Sequence, residues 1–247
     1  MNKDTLLEKA AFMFHKHGHN LASSMAFAVL AQKGSESAAV WCGLGSTLAK
    51  SAGQIVRKPF LEGAAKALKR CYPLSKGTDF ESVSLGWLES IAKEIDVKSI
   101  SPIRDDELAP LIKFLDIDPK TIPNAIDAVP VDDQMFVIMA LGEQRNPIFL
   151  PAINAAINCK WGDEAARSAL KRLGGFGYQP SIEQTLATLQ QSPKGEELQP
   201  YLGFALQHQQ KLKAEQPPAP KVTQPKPAPK MATAEKAGQK KPWWKFW

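Results

Sequence analysis

Apolar residues before position 215 recur every three or four residues, which is the spacing of an α-helix and not of a strand. Alanine and leucine are abundant, and strand-forming runs of valine, threonine and tyrosine are absent. Glycine and proline interrupt the pattern at intervals of about one helix. The spacing predicts helices over residues 3–17, 20–32, 35–57, 60–71, 79–95, 104–116, 120–129, 132–144, 147–158, 163–173, 180–191 and 195–213.

The residues between these segments are ones that commonly stop or cap a helix, which supports the predicted boundaries. The predicted stops are Gly18, Gly34, Tyr72-Pro73 and Gly174-Gly175. The predicted N-caps are Asp79, Asp132 and Asp163. About a dozen short helices in series, without strands, indicate stacked antiparallel pairs. We therefore expect an all-α fold in which antiparallel helix pairs form a right-handed superhelix, an α-solenoid.

A short repeat in the second half of the chain favours this fold. Leu141-Gly142 recurs as Leu173-Gly174, 32 residues later. Between the two copies lie Pro151-Ala152-Ile153, Asp163-Glu164, Arg167 and Ala169-Leu170. The segment 140–177 resembles a HEAT-like repeat of the short kind found in phycobilin-lyase-related proteins. The resemblance implies a HEAT-like helical region over 104–213, in which the flanking helix pairs keep the period but lose the motif.

The N-terminal half carries a different pattern. Its elements are Trp41, Leu44-Gly45, Ala67-Leu68 and Pro73. This spacing resembles one helix pair of a tetratricopeptide repeat, and it implies a tetratricopeptide-like helical region over 1–98. The segment SISPI, residues 99–103, is the predicted seam between the two regions.

The positive charge of the chain is concentrated at one end. Residues 211–247 contain nine lysines and two glutamates, a net charge of +7, whereas the preceding 210 residues have a net charge of −1. Residues 214–242 are rich in proline, alanine and lysine, so they cannot bury enough apolar surface to offset the entropy of ordering. We predict a disordered linker there, followed by an aromatic terminal motif at 243–247. Such charge asymmetry is typical of an interaction tail.

The sequence KKPWWKFW at the end of this segment is the strongest candidate site. Its predicted binding residues are Lys240, Lys241, Trp243, Trp244, Lys245, Phe246 and Trp247. Tryptophan and lysine together suit a membrane–water interface with anionic lipid. The same aromatic side chains suit a groove on a partner protein. A third alternative is that the tail docks on its own helical body or has no binding role.

Trp161 is a second candidate, because it lies in the turn CKWGD between two predicted helices. A tryptophan on the edge of a solenoid can mark a ridge that binds a partner. The alternative is that its ring packs against the neighbouring repeat.

The sequence gives little support for metal binding or catalysis. His15, His17 and His19 lie close together, but Gly18 interrupts the helix that would align them, so we interpret HKHGH as a polar turn. No GxSxG motif or phosphate-binding glycine loop is present. The acidic pairs at predicted helix starts complement the helix dipole. Cys42, Cys71 and Cys159 are far apart in sequence and read as reduced thiols. We expect no catalytic residue, no metal and no cofactor.

The sequence therefore favours a non-catalytic scaffold or adaptor. We expect the helical body to bind a protein partner and the tail to attach to an anionic membrane surface or to a partner groove. No apolar run of about 18 residues is present, so we expect a cytoplasmic protein, peripheral at the inner face of the membrane. The rival interpretations are a HEAT-like DNA-binding protein similar to alkylpurine DNA glycosylases, and an accessory lyase or chaperone. The near-neutral body argues against nucleic acid as partner.

Overall fold

A computed structural model describes residues 2–52, 57–116 and 118–215, and within these ranges the fold is all-α. The first five α-helices are α1 (Lys3–Lys16), α2 (Asn20–Gln32), α3 (Ala38–Ser51), α4 (Arg57–Ser75) and α5 (Asp79–Ala92). The next five are α6 (Asp105–Leu115), α7 (Thr121–Asp127), α8 (Val131–Glu143), α9 (Leu150–Ile157) and α10 (Asp163–Arg172). The last three are α11 (Pro180–Gln190), α12 (Pro193–Glu197) and α13 (Gln199–Ala214). Short 3₁₀ helices cover Val97–Ser99, Pro147–Phe149 and Leu173–Phe176.

The all-α prediction is confirmed, and most predicted boundaries fall within a few residues of the observed ones. Gly18 and Gly34 end α1 and α2 with φ values of +82°, a conformation that glycine adopts without strain. Asp79 and Asp163 are the first residues of their helices and follow the N-cap residues Thr78 and Gly162, so these two predicted caps are displaced by one residue. Asp132 is displaced by two, since Pro130 is the N-cap of α8. Carboxylates in a first turn still interact favourably with the helix dipole.

Three predicted boundaries are wrong. The helix predicted over 35–57 ends at Ser51, and Arg57 is the first residue of α4. Tyr72-Pro73 does not end α4, which continues to Ser75, because hydroxyl groups satisfy carbonyls of its last turn: Ser75 donates to the Tyr72 carbonyl at 3.0 Å. The Thr78 hydroxyl donates to the Ser75 carbonyl at 2.7 Å. The predicted helix 195–213 is two helices, α12 and α13, since Leu198 is a non-helical cap between them.

The N-terminal helices form a layer with α2 at its centre. Helices α1 to α4 pack side by side in chain order, and α5 covers α3 and α4. Helix α2 also contacts α6 and α7, and every residue from Ala22 to Ala31 is buried. A helix that is buried on all sides must be apolar around its whole circumference, and the sequence NLASSMAFAVLAQ meets this requirement with small residues and hydrogen-bonded serines. The Ser23 hydroxyl donates to the Ala11 carbonyl, and the Ser24 hydroxyl donates to Thr47 Oγ1, each at 2.8 Å.

Helix α3 approaches its neighbours closely through two glycines. A Cβ atom on Gly43 would lie 2.5 Å from the Phe27 ring, and one on Gly45 would lie 2.5 Å from Leu68 Cγ. These positions therefore require glycine for packing. The tetratricopeptide assignment of the region 1–98 stays a prediction.

The second half of the chain forms two rows of helices. Helices α7, α9 and α11 contact one another in succession, and so do α8, α10 and α13. The ends of α8 and α10 meet where Arg172 packs over Gly142 and its Nε atom donates to Glu143 at 2.9 Å. The repeated Leu-Gly pairs thus lie at equivalent helix ends. This contact pattern is what stacked pairs require, while the right-handed superhelix and the HEAT-like assignment stay predictions.

Polar contacts join the two halves along the predicted seam. Lys66 Nζ lies 2.6 Å from Glu107 Oε1, and both side chains are mostly buried. The backbone amide of Ile103 donates to the Lys66 carbonyl at 3.1 Å. At the far side, the Gln144 amide donates to the Lys3 carbonyl at 2.8 Å, and the Lys33 ammonium donates to the Gln144 side-chain oxygen. Helix α1 also packs on α8, and one cluster of buried apolar side chains includes residues of both halves.

Candidate interaction surfaces

The predicted tail site lies outside the residues that the structure describes. Its members are Lys240, Lys241, Trp243, Trp244, Lys245, Phe246 and Trp247. Helix α13 leads toward this segment and ends at Ala214. The structure therefore locates the helix from which the tail departs, and the surfaces around that helix bear on the function of the tail.

Trp161 is half-buried in the turn between α9 and α10. Its indole Nε1 donates to Asp127 Oδ1 at 2.8 Å, and Lys160 Nζ lies 2.7 Å from Asp127 Oδ2. The Lys160 ammonium also lies 5.1 Å from the centre of the Trp161 ring. Burial raises the pKa of Asp127, but the hydrogen bonds from Lys160 and Trp161 outweigh it and hold the pKa below its ordinary value. The tryptophan thus packs against the preceding helix pair while part of its ring stays accessible.

This contact belongs to a line of turns along one edge of the two rows. Asp127 ends α7 and is tied to the α9–α10 turn through Trp161. Asp163 is the first residue of α10, and its Oδ2 atom lies 3.1 Å from Lys194 Nζ on α12. Val131, four residues after Asp127, has 79% of its surface exposed. We name Val131, Trp161 and the tied turns around them the turn ridge.

A second surface is formed by the outer face of α13. Tyr201, Phe204, His208 and Lys211 follow one another at intervals of three, four and three residues, which places them on one face of the helix. Phe204 is 64% exposed, although a phenylalanine ring is usually buried. Its ring stacks on that of His208, with 6.3 Å between centroids and 6° between planes.

Helix α10 adds basic side chains beside this aromatic face. Lys171 Nζ lies 5.0 Å from the centre of the Tyr201 ring, a cation–π contact that joins the two helices. Arg167, one turn earlier on α10, is exposed. We define the α10/α13 surface as Arg167, Lys171, Tyr201, Phe204, His208 and Lys211.

The α10/α13 surface was not predicted from the sequence, although a signal for it was present. Leu202, Ala205 and Gln209 form the buried face of α13, and the aromatic and basic residues occupy the adjoining side of the same helical wheel. A separate count of aromatic residues on the polar face would have identified Phe204. The link to Lys171 was not predictable, because it depends on how α10 packs against α13.

The histidine cluster forms the polar turn that the sequence predicted. Asn20 Oδ1 lies 2.9 Å from His15 Nδ1, and the Lys50 ammonium lies 3.2 Å from His15 Nε2. Burial lowers the pKa of His15, and the nearby Lys50 charge lowers it further, while the hydrogen bond with Asn20 opposes both. The environment of His15 thus favours the neutral ring, with Nε2 accepting from the lysine.

The two aspartates at the start of α6 are engaged in ion pairs. Asp105 lies 3.0 Å from Arg70, and Asp106 lies 3.0 Å from Arg104. Within the described ranges, no group of three or more histidine, cysteine, aspartate or glutamate side chains is arranged to hold a metal ion. Asp105 joins α6 to α4 through Arg70, and both aspartates complement the dipole of α6.

The cysteines are reduced thiols in the described structure. Cys42 and Cys71 are buried between α3 and α4, and the Cys71 thiol donates to the Ala38 carbonyl at 3.4 Å. Hydrogen bonding with Cys71 and burial raise the pKa of the Cys42 thiol. Cys159 is half-buried in the α9–α10 turn, where burial raises its pKa. A raised pKa keeps a thiol protonated and chemically inert.

Comparison of this chain with models of protein families, with curated proteins and with solved structures finds no match. In the part of the chain that the structure describes, no helix is both long enough and apolar enough to cross a membrane. A functional proposal therefore depends on the surfaces described above.

Proposed function

We propose that this chain is a non-catalytic helical adaptor. Its helical body binds a protein partner at the turn ridge, and its basic, aromatic tail attaches the body to an anionic membrane surface or to a groove on a second partner. The body is near neutral and the tail is strongly basic. This difference suits a body that binds a protein and a tail that binds a second, separate target.

The observation that carries the proposal is the exposed apolar residue on the turn ridge. Val131 is 79% exposed, and Met135, one turn further along α8, is 45% exposed. Trp161 lies on the same edge because Asp127 ties it to the end of α7. Exposed apolar side chains beside an accessible tryptophan are characteristic of protein–protein interfaces.

The arginine contacts favour a protein partner over nucleic acid for the body. Arg57, Arg70, Arg104 and Arg172 each lie within ion-pair distance of a carboxylate. A guanidinium group that is engaged with a carboxylate would have to exchange that contact to bind a phosphate. This supports the adaptor over the DNA-binding alternative.

Flotation with lipid vesicles tests the role of the tail. The full chain and a chain that ends at Pro242 are compared on phosphatidylcholine vesicles with and without phosphatidylserine. We expect only the full chain to float, and only with the anionic lipid, because lysine attraction and aromatic insertion act together. Equal behaviour of the two chains would contradict the membrane role and leave a partner groove for the tail.

Site-specific photo-crosslinking tests the turn ridge. A photoreactive amino acid replaces Val131, and in a control chain it replaces the exposed Lys58 on α4. We expect Val131 to give a discrete crosslinked species in cells that Trp161→Ala weakens, while position 58 does not give that species. The same crosslinking pattern from both positions would contradict a specific ridge.

A further inference from the structure

We propose that the α10/α13 surface is a second membrane-contacting site, which lies against an anionic lipid bilayer when the tail is attached. This inference rests on the membrane role proposed for the tail. It assigns a binding function to Phe204, Tyr201, Lys171 and Arg167, and it fixes which side of the helical body faces the lipid.

The composition of the surface matches a membrane–water interface. Phe204 extends from the body with 64% of its surface exposed, so it can enter the headgroup region without any rearrangement of the core. Tyr201 is half-buried and carries the Lys171 ammonium 5.0 Å from its ring centre. Aromatic rings at headgroup level with cations beside them are the usual arrangement of interfacial anchors.

The charge of the surface complements anionic lipid. Arg167, Lys171 and Lys211 are all exposed on this face. Lys211 lies 3.9 Å from Glu215, a contact between two exposed side chains that contributes little. Glu183 does not oppose the attraction, since it is engaged with Lys213 at 2.8 Å and with the Tyr178 hydroxyl. A basic surface of this kind is attracted to phosphatidylserine within a Debye length.

The surface is continuous in sequence with the tail. Helix α13 carries the aromatic stripe and ends at Ala214, and residues 216–247 then add seven lysines and one glutamate. A tail held at the bilayer would keep the end of α13 nearby, which raises the effective concentration of the surface at the lipid. Two weak contacts joined in one chain attach much more firmly than either alone, as two lipid anchors do.

Flotation of full-length variants tests this inference. The first variant is Phe204→Ser, with Val83→Ser on α5 as its control, because Val83 is an exposed apolar residue in the N-terminal layer. The second carries Arg167→Glu and Lys171→Glu, with Lys58→Glu and Lys98→Glu as a control of equal net charge. All these positions are exposed, and melting curves verify that each variant is folded.

We expect both surface variants to bind vesicles of phosphatidylcholine and phosphatidylserine more weakly than the parent chain. Each basic residue near an anionic surface contributes about fivefold to binding, so the double charge reversal should lower binding by about 25-fold or more. The control variants should stay close to the parent. Raising the salt concentration should reduce the difference between the charge variant and the parent.

The outcomes separate this inference from the proposed role of the tail. Loss of flotation in the chain ending at Pro242, together with unchanged flotation of both surface variants, would overturn the second site and leave the tail intact. Loss in the surface variants alone would support the second site without the tail. Binding of a single-stranded oligonucleotide that the same substitutions abolish, with vesicle binding unaffected, would overturn the inference in favour of nucleic acid.

Discussion

At the scale of single residues, the packing of α3 depends on two glycines, whose lack of a side chain lets the neighbouring helices approach. Gly43 and Gly45 allow the Phe27 ring and Leu68 to reach the backbone of the helix. Glycine within a helix is unfavourable by about 1 kcal/mol relative to alanine, so its presence here is explained by close approach of α2 and α4. The same reasoning does not apply to Gly86 on α5, where a Cβ atom would meet nothing within 4 Å.

Gly45→Ala is expected to lower the free energy of unfolding, despite its better helix propensity. The added Cβ would lie 2.5 Å from Leu68 Cγ and 3.2 Å from the Ala64 carbonyl oxygen. Overpacking of a core typically costs about 1–3 kcal/mol, which outweighs the gain in propensity. Denaturant unfolding monitored by circular dichroism measures the change. Gly86→Ala is the matched control and should stabilise the protein by about 0.5–1 kcal/mol; equal effects at both sites would contradict the packing argument.

His15 is expected to make stability sensitive to mild acid. Its folded-state pKa is lowered by burial and by Lys50, so the unfolded chain binds the proton more readily. Stability that is present above the ordinary pKa of histidine, about 6.5, is therefore lost as the pH falls below it. Melting temperatures measured between about pH 8 and pH 5 for the parent and His15→Gln test this. The substitution should flatten the profile in that window, and an unchanged profile would contradict the role of His15.

At the scale of secondary-structure elements, the turn ridge is held by contacts between successive helix pairs. Asp127 accepts from Trp161 at 2.8 Å and lies 2.7 Å from Lys160. The Trp161 interaction joins the end of α7 to the α9–α10 turn. It therefore couples two residues that are 34 positions apart in the chain. A double-mutant cycle measures this coupling.

The cycle combines Asp127→Ala and Trp161→Phe. We expect the two substitutions to be non-additive, with a coupling free energy of about 0.5–1.5 kcal/mol, because each removes the same hydrogen bond to a charged group. Urea unfolding of the parent, both single variants and the double variant provides the four values. The pair Lys194→Gln and Trp161→Phe, which share no direct hydrogen bond, serves as the control. Additive effects in the first cycle would show that the indole contact contributes no stability.

The positions of the helices could be predicted from the sequence, but the contacts between helices could not. Helix formation follows from local spacing, so the buried stripe of α13 could be read directly, while the break at Leu198 depended on a single non-helical residue. Contacts such as His15 with Lys50, 35 residues apart, require the packing of α1 against α3. The α10/α13 surface is of the same kind, since Lys171 reaches Tyr201 only after two helices are placed side by side.

At the scale of the whole molecule, the two halves share their core. Helix α2 is packed between α1 and α3 of its own layer and α6 and α7 of the second half. Lys66 and Glu107 form a mostly buried ion pair across the seam. Burial raises the pKa of Glu107, but hydrogen bonds from Lys66 and the Arg104 amide outweigh it and hold the pKa below its ordinary value. Separating the halves would expose the apolar surface of α2 and leave this pair without its partner.

We therefore expect the fragments 1–98 and 99–247 to be largely unfolded when each is produced alone. Together they should associate and recover the helical circular dichroism of the intact chain, because association restores the contacts of α2 with α6 and α7. The intact chain should unfold in one cooperative calorimetric transition.

Met25→Asp, which places a carboxylate in the buried α2, should prevent association of the fragments, since an unpaired buried charge is strongly unfavourable. The control substitution Lys58→Asp, at an exposed position of α4, should leave the association of the fragments unchanged. Two resolved calorimetric transitions, or a fragment 1–98 that melts cooperatively alone, would instead establish two independent lobes and support the domain division that the sequence predicts.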